Sequence, residues 1–234
     1  MINRINALRR SLLWVVAALL LGTASGWSVA DQVFNFLAAP LTTALANAAR
    51  DPRLAFTNLS DPFIIYFSVS MLLGLLLALP VIMSLFWRVV APLDLGRGAA
   101  KAAVFAFASS VLFLVGLAFG YWVLLPFVVR YLLRVAEEFR YAVTIREYLR
   151  FALRMLIAMG ISAQLPLMSF VLARFGLVTA RRLLRWLPYA VLVAFVLAAV
   201  ITPPDGISQL LVAIPMLVLY LLGVVVAALA TPRN

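Results

Sequence analysis

The sequence predicts an all-α membrane protein: six kinked transmembrane helices forming one domain, residues 1–234, with interfacial helices in the external loops. Three observations carry this. Of the residues 66% are hydrophobic and 12% charged, against roughly half and a quarter in soluble domains. Uncharged apolar runs near 20 residues, the length that crosses a hydrocarbon layer of about 30 Å at 1.5 Å per residue, recur six times along the chain. Basic residues gather in alternate connections between those runs, as they do in loops that face the cytoplasm.

The first run spans about 11–30. Arg4, Arg9 and Arg10 before it and Ser28-Val29-Ala30 at its end also describe a cleavable signal peptide, but the length of the apolar region and the even count of spans favour a retained helix. The second, 62–87, contains Pro80, and the third, 102–129, contains Pro126. In the fourth, 151–173, lie Pro166 and Arg154, the one charge inside any run, near an end where a long side chain reaches the headgroups. The fifth, 187–202, opens with Pro188 and has only 16 residues, about 24 Å of helix. The sixth, 208–230, contains Pro215. Pro80, Pro126, Pro166 and Pro215 each remove a backbone donor and should bend their helices, and a set of bent spans can enclose a concave face.

Polar residues inside this apolar frame are the candidate contacts. Gln164 sits mid-run, where a carboxamide is unfavourable without a partner, so it bonds to another helix or contacts a ligand. Pro203 and Pro204 end the fifth helix, Asp205 and Gly206 make the turn, and Asp205 or Ser208 can cap the sixth; the other role open to Asp205 is contact with a partner helix. Two external loops, 31–62 and 130–150, carry apolar residues at helical spacing, the first in short patterns broken by Pro40, Pro52 and Pro62. Each is either a docking cap or a lid over the helix packing.

With both ends in the cytoplasm, eleven Lys/Arg fall inside and seven outside, and net charge is about +10 against zero. The overall charge of +11 is therefore read as arginines anchored beside the lipid bilayer, not as a nucleic-acid surface. Cysteine and histidine are both absent, which removes thiolate and imidazole ligands, disulfides and the commonest general base. No cofactor or metal is expected. Nor is an enzyme, since neither a His-Glu-x-x-His pair nor a Gly-x-Ser-x-Gly elbow occurs, and the Ser109-Ser110 pair reads as small-residue helix packing.

The stretch TPPDGISQLLVAIPM, residues 202–216, resembles the connection between the last two spans of the TatC family, the large subunit of the Sec-independent, twin-arginine protein translocase. DPFIIYFSVSMLLGLLLALPVIMSLFWRVVAPL (61–93) is similar to the family's second span, GLAFGYWVLLPF (116–127) to its third, GISAQLPL (160–167) to its fourth, and AAPL (38–41) to its first external loop. The likeness covers nearly the whole chain from Leu8. It implies a glove-like, concave six-helix protein of the cytoplasmic (inner) membrane. It also implies recognition of twin-arginine signal peptides and transport of folded proteins on the proton-motive force, in a homo- or hetero-oligomer with single-span TatA/TatB-like subunits. By position, Gln164, Pro166, Asp205 and Gln209 would meet partner helices, while Pro40, Pro80, Pro126, Pro203 and Pro204 would shape the scaffold.

Three acids usual in the family are replaced, by Ala7, Gly98 and Gln164, and Val89 stands where a phenylalanine is usual. Paired arginines are recognised through charge-assisted, often bidentate bonds to carboxylates, and on the inner face Asp94 is the one side-chain carboxylate. Asp94, with Arg97 and Arg9 beside it, is thus the candidate signal-peptide site, and weakened recognition is expected. A TatC-like paralogue with a structural role is the principal alternative. A small-molecule carrier is another, but the spans hold no inverted repeat and no carboxylate for ion coupling.

Overall fold

The computed structural model describes residues 2–47, 58–90, 99–135, 144–202 and 205–230, and no β-strand occurs among them. The elements are α1 (Ile2–Trp27), α2 (Ala30–Asn47), α3 (Asp61–Val90), α4 (Ala99–Phe119), a π-helical turn (Gly120–Leu124), α5 (Leu125–Val135), α6 (Ile145–Ser162), α7 (Leu165–Arg174), α8 (Ala180–Arg185), α9 (Leu187–Ile201) and α10 (Gly206–Ala230). All six apolar runs fold as helix. Four continuous stretches, Asp61–Trp87, Ala103–Val135, Ile145–Arg174 and Gly206–Ala230, are long and apolar enough to cross a bilayer. The apolar part of α1 and its neighbour α2, bent 82° at their junction, make a fifth as a pair. The 15 residues of α9 extend about 22 Å, so the fifth expected span is a short apolar helix, as its sequence foretold.

The prolines act less uniformly than expected. Patterns broken at Pro40 were expected in the first external loop, yet α2 runs unbroken through Pro40 from Ala30 to Asn47. Its Leu37, Leu41, Ala44 and Leu45 recur at helical spacing and are buried, and that face holds the helix together across the missing donor. The 82° bend falls instead at Ser28-Val29, between α1 and α2. Pro80 and Pro215 lie inside continuous helices, and Pro188 takes the first turn of α9. Pro126 follows the π turn, where the Leu125 amide donates to the Gly120 carbonyl, five residues back. One extra residue in that turn makes room for the proline ring, which would otherwise strike a carbonyl of the preceding turn. In the second external loop, α5 and α6 extend the flanking spans inward to Val135 and Ile145, and residues 136–143 lie outside the described set.

The chain forms two compact units. One comprises residues 1–39, 53–111 and 143–149, and the other 40–52, 112–142 and 150–234. In the first, α1 packs on α3 through small residues. Lipid tails are as apolar as leucine, so helices in a bilayer gain by close van der Waals approach, which small side chains allow. Gly22 and Gly26 on α1 meet Ser70 and Gly74 on α3: a Cβ on Gly22 would lie 2.8 Å from the Gly74 Cα, and one on Gly74 would lie 2.8 Å from the Thr23 nitrogen. Three polar contacts complete this unit. Trp87 Nε1 donates to Ser109 Oγ at 2.5 Å, both groups buried. The Tyr148 hydroxyl donates to the Leu37 carbonyl at 2.7 Å. Arg146 pairs with fully buried Asp61 at 3.1 Å, and Asp61 also accepts the Asn58 amide at the start of α3.

In the second unit Gly116 of α4 lies against α6, where a Cβ would come within 2.5 Å of the Met159 carbonyl oxygen. Gly223 of α10 lies against Ser169 of α7, where a Cβ would come within 2.7 Å of the hydroxyl oxygen. The α7–α8 corner turns on Gly176, whose φ of 71° is in the left-handed region, while the Leu177 amide returns to the Leu172 carbonyl. Thr179 then caps α8, its hydroxyl accepting the Arg182 amide. Leu183 of α8 enters a core with Ala173, Val178, Val224 and Ala227.

Candidate functional site

The residues expected to meet partner helices occupy two separate places in the second unit, and both come from how an apolar helix breaks and restarts. At the first, α6 ends at Ser162 and α7 begins at Leu165 with Pro166 in its first turn. The Gln164 amide bonds to the Ile161 carbonyl, a tighter turn than α-helix, which frees the Gly160 carbonyl. That carbonyl accepts Gln164 Nε2 at 3.4 Å. The mid-membrane carboxamide is thus engaged by its own helix, in a segment whose hydrogen-bond ladder the proline interrupts.

The second place is the turn between α9 and α10. Thr202 precedes a proline, which disfavours helix, and its extended conformation ends α9, with both its amide and its hydroxyl donating to the Ala198 carbonyl. Residues 203 and 204 would normally supply amides to the last carbonyls of α9, but prolines have none. One such carbonyl, that of Val200, accepts instead from the Arg154 guanidinium at 3.5 Å. The one charge within the apolar runs therefore serves a helix C-terminus, where a cation is favoured, besides the headgroup reach expected of it. Of the two caps open in the sequence, Asp205 is the one used. Its carboxylate accepts the Ser208 amide at 2.7 Å and the Ser208 hydroxyl. Gln209 Nε2 crosses to the Phe195 carbonyl at 2.8 Å and ties α10 to α9.

These two places do not form one cluster. Leu165, beside Gln164, faces Gly223 of α10, and Gln209 lies fourteen residues earlier, about 21 Å along the helix. Of the signal-peptide candidates, Arg9 is an exposed residue of α1, while Asp94 and Arg97 lie outside the described residues, as do Pro203 and Pro204.

Sequence reasoning passed over a groove on this same unit. It has a volume of about 550 Å³ and lies where Trp186, just before α9, and Tyr189, Val193 and Leu197 of α9 face Met216 and Tyr220 of α10, with Ser162 and Leu165 at the α6–α7 break on a third side. The Tyr220 hydroxyl donates to the Leu183 carbonyl at 2.6 Å, fastening the groove wall to α8. The helical spacing of Trp186, Tyr189, Val193 and Leu197 was readable, but α9 is apolar on every side and no polar face marks which side is concave. The half-buried Asp61–Arg146 pair was missed as well, because its members stand 85 residues apart.

A family profile described as the Sec-independent protein translocase protein TatC matches residues 3–215. A protein of that name from Koribacter versatilis is 33% identical over 234 residues, covering 100% of this chain and 86% of the relative. TatCy of Bacillus subtilis is 31% identical over 98% of this chain and 89% of its own length. A crystal structure of the twin arginine translocase receptor TatC superimposes with a TM-score of 0.86 at 29% identity, over 97% of this chain and 99% of that one. With one architecture and one family profile running through nearly all of its apolar helices, the chain belongs to the TatC family of Sec-independent protein translocase proteins.

Proposed function

We propose that the chain is the multi-pass receptor subunit of a twin-arginine translocase in the cytoplasmic (inner) membrane. Both termini lie in the cytoplasm, and the protein acts as a transport component and not as an enzyme. The observation that carries this reading is the end-to-end likeness to a twin arginine translocase receptor, with a TM-score of 0.86. The excess of arginine on the termini and on the connections 88–101 and 174–185 supports the orientation. Single-span TatA/TatB-like subunits pack against the α9–α10 turn and the α6–α7 break. There Asp205 fixes the direction in which α10 leaves the turn, Gln209 holds the two helices together, and Gln164 with Pro166 sets a local deformation to which a passing helix fits. Twin-arginine peptides bind on the inner face, with Asp94 as the carboxylate partner and Arg9 and Arg97 bordering it.

A strain lacking its own TatC, supplied with this chain and its cognate single-span subunits, should export a folded reporter bearing a twin-arginine signal. Absence of export at normal membrane levels of the chain overturns the reading. Ala7, Gly98 and Gln164 in place of the family's usual acids favour a second reading, a structural paralogue with weak recognition. Peptide capture separates the two. A receptor retains an Arg-Arg peptide over a Lys-Lys peptide and loses that preference with Asp94→Ala, whereas a structural paralogue retains neither.

A further inference from the structure

The groove beside α9 ends at α8, and the two features together describe a ligand. From Trp186 to Leu197 the groove follows eleven residues of α9, about 16 Å, which is the depth of one leaflet of a hydrocarbon core about 30 Å thick. Its walls are apolar apart from a few hydroxyls. Trp186 and Tyr189 stand at one end, and such amphipathic rings settle at headgroup level. The same end carries positive charge. On α8, Leu183 turns inward while Arg181, Arg182 and Arg185 are exposed, and Arg174 is exposed at the end of α7. None of the four pairs with a described carboxylate, and no acid occurs anywhere between residues 173 and 186. Arg182 reaches the Leu177 carbonyl at 3.3 Å; Arg181 and Arg185 make no side-chain bond to a described residue. The Tyr220–Leu183 bond ties this basic turn to the groove wall.

We infer that the α9–α10 groove and the α8 arginines form a binding site for one anionic phospholipid, an acyl chain lying between Trp186 and Leu197 and the phosphate meeting Arg181, Arg182 and Arg185. Charge complementarity selects this occupant: a chain of one-leaflet length ending in a phosphate matches an apolar trench ending in unpaired guanidinium groups. A bare helix from another protein fills the trench but leaves the arginines unanswered.

Native mass spectrometry of the full chain, offered an equimolar mixture of phosphatidylglycerol and phosphatidylcholine in detergent, tests the site. Phosphatidylglycerol should be retained at least tenfold over phosphatidylcholine. Each arginine changed to glutamine should lower retention about fivefold, the equivalent of about 1 kcal/mol per charge near a membrane surface, and the triple Arg181→Gln, Arg182→Gln, Arg185→Gln variant should lose the headgroup preference. All three side chains are exposed and Arg182 alone bonds a described residue, so the single Arg181→Gln and Arg185→Gln variants leave every described contact in place. Val193→Trp, which fills the trench, should abolish retention of both lipids. A photoreactive residue in place of Val193 should form adducts with lipid in native membranes. Equal retention of the two lipids, a triple variant that keeps its preference, or adducts with protein in place of lipid would each overturn the proposal.

Discussion

Between α1 and α3 the two helices approach until a methyl group no longer fits at Gly22 or Gly74, whereas α9 and α10 leave a groove of about 550 Å³ along the stretch from Trp186. Both pairs are built from apolar helices, so hydrophobicity does not separate them. What differs is the small-residue spacing. Glycine or serine recurs four residues apart at 22 and 26 on α1 and at 70 and 74 on α3, so the backbones touch. Along α9 the corresponding face presents Trp186, Tyr189, Val193 and Leu197, which hold a neighbour off. Close packing makes the first pair a fixed part of the scaffold, and its absence leaves the second open to what lies outside the chain.

The largest break in this contrast is Gly74→Leu. The new side chain would begin against the Thr23 backbone and the Leu19 carbonyl, neither of which can yield as a flexible side-chain tip does. Overpacking of that kind costs about 3 kcal/mol. Thermal unfolding in detergent should fall sharply, while Gly206→Ala, where a Cβ meets open space, should leave it unchanged. An unmoved transition in Gly74→Leu would mean that α1 and α3 are not locked together.

Next in size is Asp61→Asn. It leaves the Arg146 guanidinium, 30% exposed, without its charged partner, and we expect a loss of about 2 kcal/mol, below the 3–5 kcal/mol of a wholly buried pair. Adding Arg146→Met should restore part of that loss in a double-mutant cycle. Strictly additive effects would deny the pair its coupling.

The extent to which these features were legible in the sequence follows from their range. The apolar runs were legible because solvent imposes their length, and the proline-bounded α9–α10 turn because its chemistry is local: the same residues that spell the turn also spell the resemblance to TatC. Glycine at 22 and 26, and again at 116 and 120, carried a readable four-residue signal whose meaning depended on a partner helix that no single segment reveals. Pro40 misled because a proline's missing donor is a local fact, whereas its consequence, here an unbroken α2, depends on what the rest of the helix buries; the π turn before Pro126 was hidden for the same reason. The groove was hidden for the opposite reason: in a helix apolar all round, nothing in the pattern distinguishes a face that packs from one that waits.

Gln209→Leu probes the boundary between packed and open along the α9–α10 pair. Its bond to the Phe195 carbonyl joins the helices near the turn, and interhelical bonds of this kind contribute about 0.6 kcal/mol on average in membranes. A small fall in thermal stability is the expected outcome, with lipid retention unchanged because the bond uses the backbone carbonyl of Phe195, a residue that does not line the groove. Loss of lipid retention in Gln209→Leu would show that the turn governs the groove's width.

Val193→Trp should have the smallest effect on stability of all, and it sets the comparison most directly because it adds bulk, as Gly74→Leu does. Val193 is 55% exposed and lines the groove, so an indole there meets unfilled space instead of backbone. In lipid-free detergent we expect its unfolding transition to stay with that of the parent chain, since the added ring removes no contact and strains no neighbour. A loss as large as that of Gly74→Leu would mean that α9 and α10 are already in close contact, and then the difference between the two helix pairs would be one of residue size alone, with no open face left for a ligand.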